Sequence, residues 1–347
     1  MNDDLTLDPN ALDRLGGLLR QRGALGANEP ISSRLISGGR SNLTYEVSSD
    51  RDTWVLRRPP LGHVLSTAHD MGRDYRVLTA LGNPSVNVPV PETVLMCDDM
   101  DIIGAPFYVM KRIEGVVLRT ADQALALNDS DQIHLSERLI DVLDDLHAID
   151  PVSIGLGDFG KPVGFMPRQV KRWSRQLADS RSRPIHGIEE LAADLESSMP
   201  IQVDSTIVHG DFRLDNCLVR NGDIEAVLDW EMSTLGDPLS DLGLFAVYYA
   251  GLADIPNPIV QSPGGLGSYP SLDVLLDRYA LRSGRDLSEL DWYIAFAWFK
   301  FAVILEGIHY RSTLGATVGE GFDGVSELVQ PSVDRGRAAL AIRTRRP

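Results

Sequence analysis

The chain of 347 residues is long enough for one large domain or two smaller ones, and 43% hydrophobic with 24% charged residues is the composition of an ordinary globular enzyme. A formal net charge of −16 excludes a nonspecific nucleic-acid binder, because that affinity comes from cations set against phosphates. Two cysteines, Cys97 and Cys217, lie far apart without zinc or redox spacing, so stability is not expected to rest on disulfides.

Along the chain, Met1 to Asn10 carry Asp3, Asp4 and Asp8 and lack the basic and apolar regions of a secretory signal, so the expectation is a cytoplasmic protein. Leu12, Leu15, Leu18 and Leu19 mark a first amphipathic helix. Arg34 to Ser37, Leu43 to Ser48 and Thr53 to Arg57 are β-prone runs separated by Gly38-Gly39 and by the polar turn Ser49 to Asp52, which predicts a three-stranded meander. Between Thr67 and Leu81 the spacing of Met71, Tyr75, Leu78 and Leu81 predicts a helix, and Glu92 to Cys97 and Pro106 to Ile113 supply two more strands.

From Glu114 the character changes to helices, and Leu135, Leu139, Val142, Leu143 and Leu146 mark one face that ends at His147. The expected organisation is an α+β protein with a small N-terminal lobe, residues 1–113, and a larger mainly helical lobe, residues 114–347. Pro256 to Pro270, rich in Pro, Gly and Ser, reads as a surface loop. Trp292 to Ile308 is the most apolar stretch, but Lys300 and Glu306 interrupt it, so a buried helix is expected there and no membrane span. The arginines near the C-terminus fit cations placed at the end of a last helix.

The chemistry concentrates in His209-Gly210-Asp211-Phe212-Arg213-Leu214-Asp215-Asn216, followed by Val227-Leu228-Asp229-Trp230-Glu231. Two short apolar runs joined around Asn221-Gly222 predict a tight hairpin. Pairing those runs would bring Asn216 and Asp229 together at its open end, where an amide oxygen and a carboxylate suit magnesium alongside substrate phosphates. Asp211, five residues before Asn216, is then placed to take the proton of an attacking hydroxyl, and Arg213 to meet the γ-phosphate. The alternative is that Asp211 and Asn216 only cap turns. In the N-terminal part, Ser37 to Asn42 join two strands, and Gly38 and Gly39 let backbone N–H groups of Gly38, Gly39, Arg40, Ser41 and Asn42 approach phosphates.

The order His-Gly-Asp, Asn at plus five, then a second Asp after a hairpin resembles the catalytic loop and metal motif of the aminoglycoside phosphotransferases and, more distantly, of protein kinases. The resemblance implies a bilobal kinase-like fold, ATP or GTP as phosphoryl donor, Mg2+, and a small-molecule hydroxyl as acceptor. It places Arg57, at the end of Trp54-Val55-Leu56-Arg57, where that pattern has its phosphate-pairing lysine, with Asp74 in the place of its glutamate partner. An exposed salt bridge is the other reading of this pair. Trp54 to Pro60, Asp74 to Leu78, Val88 to Pro91 and Phe107 to Met110 are similar to the kinase-like domain preceding the dehydrogenase domain in acyl-CoA dehydrogenase family members ten and eleven, over roughly residues 30 to 315. That branch implies a hydroxyacyl-CoA acceptor in preference to an antibiotic, and with the chain ending at Pro347 no dehydrogenase domain is expected in it.

Asp237 before Pro238 has the form of a helix cap, so Asp237 and Asp241 are expected to organise the helix that follows, and His147 is expected to be a packed or capping residue. Glu306, His309 and Arg311 are candidates for facing an acceptor pocket, with incidental exposure as the alternative. Two rival functions are a nucleotide-binding protein without catalysis, suggested by Arg57 and Asp74, and a metal-dependent phosphoesterase using His209, Asp211 and Asp229.

Overall fold

The computed structural model describes residues 6–38, 42–60, 70–255, 262–314 and 324–343. The chain divides into two compact units, Met1–Glu114 with Glu225–Glu231, and Gly115–Ile224 with Met232–Pro347.

In the first unit the elements run α1 (Pro9–Gln21), β1 (Ser32–Gly38), β2 (Leu43–Ser48), β3 (Thr53–Arg58), α2 (Met71–Leu81), β4 (Thr93–Cys97), α3 (Met100–Ile103) and β5 (Phe107–Lys111). The strands form one antiparallel sheet in the order β1-β2-β3-β5-β4, so the expected meander is its first three strands. Strand alternation sorts the side chains onto two faces. Trp54, Leu56, Phe107 and Val109 pack with Leu15 and Leu19 of α1 in one buried cluster. Arg57 takes the opposite parity on β3 and pairs in register with Tyr108 of β5. The second helix begins at Met71 because the Asp70 carboxylate accepts the Arg73 N–H at 3.0 Å, and residues 67–69 of the expected helix lie outside the described residues. Met71, Asp74, Val77, Leu78 and Leu81 form its buried face.

The second unit contains α4 (Ala121–Leu125), α5 (Asp129–His147), α6 (Phe165–Ser180), α7 (Ile188–Ser197), β6 (Thr206–Val208), β7 (Cys217–Arg220), β8 (Asp223–Val227, whose last three residues belong to the first unit), β9 (Thr234–Gly236) and α8 (Pro238–Ala246). A π-helical turn (Val247–Gly251) follows, then α9 (Leu272–Ser283), α10 (Leu290–Thr313) and α11 (Val329–Arg343). β7 and β8 make the two-stranded hairpin expected around Asn221-Gly222, and β6 pairs with β9. The buried helix expected at Trp292 to Ile308 is α10, apolar on nearly all sides and packed against α6, α7, α8 and α11. Gly243 lets α8 approach it closely, since a Cβ there would sit 2.6 Å from the Tyr293 backbone. Among the described residues no helix is long and apolar enough to cross a membrane. Of the expected loop at Pro256 to Pro270, residues 262–270 carry no regular element and residues 256–261 lie outside the described residues.

Candidate active site

In the second unit the chain leaves β6 at Val208 and enters the loop His209-Gly210-Asp211. The buried Asp241, in the first turn of α8, fixes this loop by accepting the backbone N–H of His209 at 2.6 Å and of Gly210 at 2.8 Å. Burial pushes the Asp241 carboxyl up, but His147 Nε2 at 3.5 Å, followed by His209 and the Gly210 N–H, outweighs it and holds the group below the usual carboxylate range. Gly210 has φ of +82°, and a Cβ there would meet the Met232 carbonyl at 2.8 Å, so only glycine permits this turn. His209 is buried edge-on against Phe212, and its Nδ1 accepts the Asp211 N–H at 3.2 Å.

Asp211 is then presented with its carboxylate partly open. Asn216 Nδ2 donates both to the Asp211 carbonyl at 2.8 Å and to Asp211 Oδ2 at 3.0 Å, which spends the amide nitrogen and leaves the amide oxygen unspent. The Arg213 guanidinium lies between Asp211 Oδ2 at 3.5 Å and Asp215 Oδ2 at 3.4 Å, and stacks 5.2 Å above the Tyr248 ring. Burial pushes the Asp215 carboxyl up to about 6 against the pull of Arg213. Tyr248 belongs to the π-helical turn, a distortion often found at functional sites, and burial beside Asp211 raises its phenol.

Lys300 of α10 donates from Nζ to the Gly210 carbonyl at 2.9 Å, and burial lowers its ammonium although Asp211 and Asp241 pull the other way. The sequence reading used Lys300 only to exclude a membrane span. A lone lysine in an otherwise apolar helix was the available signal. Glu306, six residues on, is not exposed: it is fully buried and accepts from Ser182 N at 3.0 Å, Ser182 Oγ at 2.8 Å and Arg183 Nε at 3.2 Å. It ties α10 to the segment after α6, and of the three candidate pocket residues only His309 and Arg311 reach the surface.

The first unit assembles a second charged cluster. Arg57 Nη1 donates to Tyr108 Oη at 3.2 Å and lies 3.8 Å from Asp74 Oδ2, while Nη2 lies 3.5 Å from Asp229 Oδ1. The expected pair of Arg57 and Asp74 is therefore present, with Asp74 buried and Arg57 half-buried, and Asp229 shares the cation. Burial pushes the Asp74 carboxyl up to about 7; Arg57 opposes the shift and the nearby Glu231 and Asp229 add to it. Arg57 is thus shared by two acids, Asp74 and Asp229. Asp229 stands at φ of +64°, a left-handed conformation that few side chains adopt and that Asp and Asn tolerate best. Its Oδ1 is buried with no hydrogen-bond partner, which suits a ligand oxygen.

Gly38 closes β1 opposite Leu43, and Asn42 is buried just before β2; Gly39, Arg40 and Ser41 lie outside the described residues. Asp237 caps α8 as expected, accepting the Leu239 N–H at 3.0 Å, and its other oxygen takes the Tyr293 hydroxyl at 2.7 Å. His147 is buried between Tyr279 and Asp241, in keeping with a packed residue. Among the described residues no group of three or more His, Cys, Asp or Glu side chains is arranged to hold a metal ion.

Residues 32–273 match the sequence profile of the phosphotransferase enzyme family, abbreviated APH. The chain belongs to that family. It shares the fold of a Ralstonia eutropha protein provisionally assigned as an aminoglycoside phosphotransferase, with a TM-score of 0.83, 30% identity, and 95% and 98% of the two chains covered. The same kinase-like fold, at 17% identity, 88% coverage of each chain and a TM-score of 0.54, is that of APH(2")-IIa in its ternary complex with streptomycin and ATP. Among curated relatives, acyl-CoA dehydrogenase family member 11 of Gallus gallus is 33% identical over 315 residues. That match takes in 88% of this chain and 40% of the chicken protein, so the chain spans well under half the length of the curated relatives it matches. Family membership makes the chain a kinase-like phosphotransferase.

Proposed function

We propose that the protein is a small-molecule kinase that transfers the γ-phosphate of ATP or GTP to a hydroxyl of a small metabolite, with a hydroxyacyl-CoA as the favoured acceptor over an aminoglycoside. The observation that carries this reading is the hydrogen-bonded presentation of Asp211 by Asn216, inside a loop that Asp241 fixes from α8. In this reading residues 1–113 supply the nucleotide lobe and residues 114–347 the catalytic and acceptor lobe. Gly38 to Asn42 cradle phosphates, Arg57 contacts the α- and β-phosphates, and Asp74 orients it.

Asp211 accepts the proton of the acceptor hydroxyl and keeps its oxygen directed at phosphorus, while Arg213, already fixed by Asp215 and Tyr248, offers a cation to the transferring group. Asn216 Oδ1 and Asp229 would hold Mg2+, whose chemistry is to neutralise charge on the phosphates. The unspent amide oxygen of Asn216 and Asp229 Oδ1, which accepts no hydrogen bond although Arg57 Nη2 lies 3.5 Å away, fit such an ion. The acceptor preference follows the resemblance to the chicken relative; the ATP bound by APH(2")-IIa supports the donor.

A second reading, nucleotide binding without transfer, is favoured by one contact: Arg57 lies against Asp229, the carboxylate assigned to the metal. The phosphoesterase reading gains nothing, since His209 is committed to the Asp211 backbone. Nucleotide consumption measured across hydroxyacyl-CoA esters and aminoglycosides tests the proposal. Acceptor-dependent consumption of ATP or GTP supports it; tight nucleotide binding with transfer to none of the acceptors favours the second reading.

A further inference from the structure

The second unit carries a group of hydrogen-bond donors without acceptors beside the catalytic loop. Trp173 of α6 is 5% exposed, and its buried Nε1–H finds no partner. Lys300 Nζ lies 5.5 Å from the Trp173 ring centroid, and the Arg172 guanidinium carbon 5.6 Å from the same ring. The ammonium has three N–H bonds and gives one to the Gly210 carbonyl, next to Asp211; no carboxylate pairs with Lys300 or with Arg172. Among the described residues neither cation around this indole has a carboxylate at ion-pair distance, although Asp211 and Asp241 act on the Lys300 ammonium from further off. An exposed arginine such as Arg172 is ordinary alone. A buried indole N–H left unpaired is not, because buried donors in native proteins nearly always meet an acceptor.

We propose that Lys300, Trp173 Nε1 and Arg172 form the subsite for an anionic group of the acceptor, so that the molecule phosphorylated is a hydroxyl compound carrying a carboxylate or a phosphate. This rests on the kinase reading but departs from its favoured acceptor, because a hydroxyacyl-CoA has only a neutral thioester near its hydroxyl. Gly210 links the subsite to the general base, so the anion and the reacting hydroxyl are separated by a few bonds. The same cations repel an aminoglycoside, whose ammonium groups would have to enter beside Lys300 and Arg172. Burial lowers the Lys300 ammonium, Asp211 and Asp241 oppose that shift and Arg172 adds to it, so a bound anion would act in the same direction as the two acids. Lys300 also fixes the Gly210 carbonyl, and its role in binding must be separated from that structural one.

The experiment is calorimetric titration of the full chain, with and without MgADP, using matched probes: 3-hydroxybutyrate against 1,3-butanediol, glycerol 3-phosphate against glycerol, and kanamycin. At least one anion should bind about tenfold more tightly than its neutral partner, the scale of a charge-assisted hydrogen bond. Which anion does so separates carboxylate from phosphate. Lys300→Met should erase the preference, Lys300→Arg should retain most of it, and Trp173→Phe, which keeps the ring and removes the donor, should weaken the anion several-fold while leaving the neutral probe unchanged. MgADP affinity should hold across the variants, and Tm should hold for Lys300→Arg and Trp173→Phe; Lys300→Met, which loses the bond to the Gly210 carbonyl, should lower Tm. Neutral probes or kanamycin binding as tightly as both anions overturns the inference, as does a preference that survives Lys300→Met. If MgADP fails to bind while the anion preference is present, the kinase reading fails and the subsite stands.

Discussion

In the second unit the parts around Asp211 are joined by hydrogen bonds of 2.6 to 3.2 Å, most of them to backbone atoms. In the first unit Arg57 lies 3.5 Å from Asp229 and 3.8 Å from Asp74, and it donates to Tyr108 at 3.2 Å. Backbone-anchored bonds fix a loop before any substrate arrives. Loose ion contacts around a single cation leave a cluster that further charge can rearrange. The contrast is between a preformed loop and a cluster open to adjustment, and in the proposed kinase these would serve chemistry and nucleotide binding respectively.

Four variants test that division. Asp211→Asn keeps the size of the side chain but cannot take a proton, so turnover with the true acceptor should fall about 10²- to 10⁴-fold while magnesium nucleotide still binds. A loss under about tenfold, with chemistry shown to be rate-limiting, removes Asp211 from the base role. Asp229→Ala should weaken the nucleotide about 10- to 100-fold in magnesium and hardly at all in chelator, on the scale of lost metal support; calorimetry that finds equal affinity in both conditions counts against the ligand. Arg57→Met should cost nucleotide affinity about tenfold, the worth of a charge-assisted contact to phosphate, with little change in kcat. Unchanged kinetics would reduce Arg57 to a packing residue.

The smallest effect concerns Asp74. Its folded value of about 7 lies above the ordinary 3.8, so the folded protein holds this proton more tightly than the unfolded chain. The stability it contributes is full below the ordinary value and is lost as pH rises through about 7. Asp74→Asn does not titrate. Scanning calorimetry from about pH 5 to 8 should therefore show the variant gaining on the parent by a few degrees, the size expected for about 1 kcal/mol. A difference independent of pH would place the proton elsewhere.

Much of this was legible in periodicity. Parity along β3 put Arg57 on the face away from Trp54 and Leu56, and the spacing of Met71, Asp74 and Leu78 put Asp74 on the buried face of α2. The loop chemistry was legible because its parts are near neighbours in sequence, from His209 to Asn216. What spacing cannot carry is contact between distant segments. The sharing of Arg57 by Asp229, the Asp241 clamp and the Lys300 bond to Gly210 join residues separated by 172, 32 and 90 positions. Glu306 was misread for a related reason: a polar residue in a buried helix is placed by its partners, Ser182 and Arg183, and these lie more than a hundred residues away.

The Asp241 clamp also bears on the order of folding. Closing the loop requires residues 31 and 32 positions apart to meet, and Asp241 must already sit in a formed first turn of α8, capped by Asp237. A nascent chain that has emerged only as far as Asn216 carries every residue of the motif, yet nothing holds the His209 and Gly210 amides. The loop geometry arrives with the helix after it, so a truncated or half-translated product has the residues without the clamp that presents Asp211.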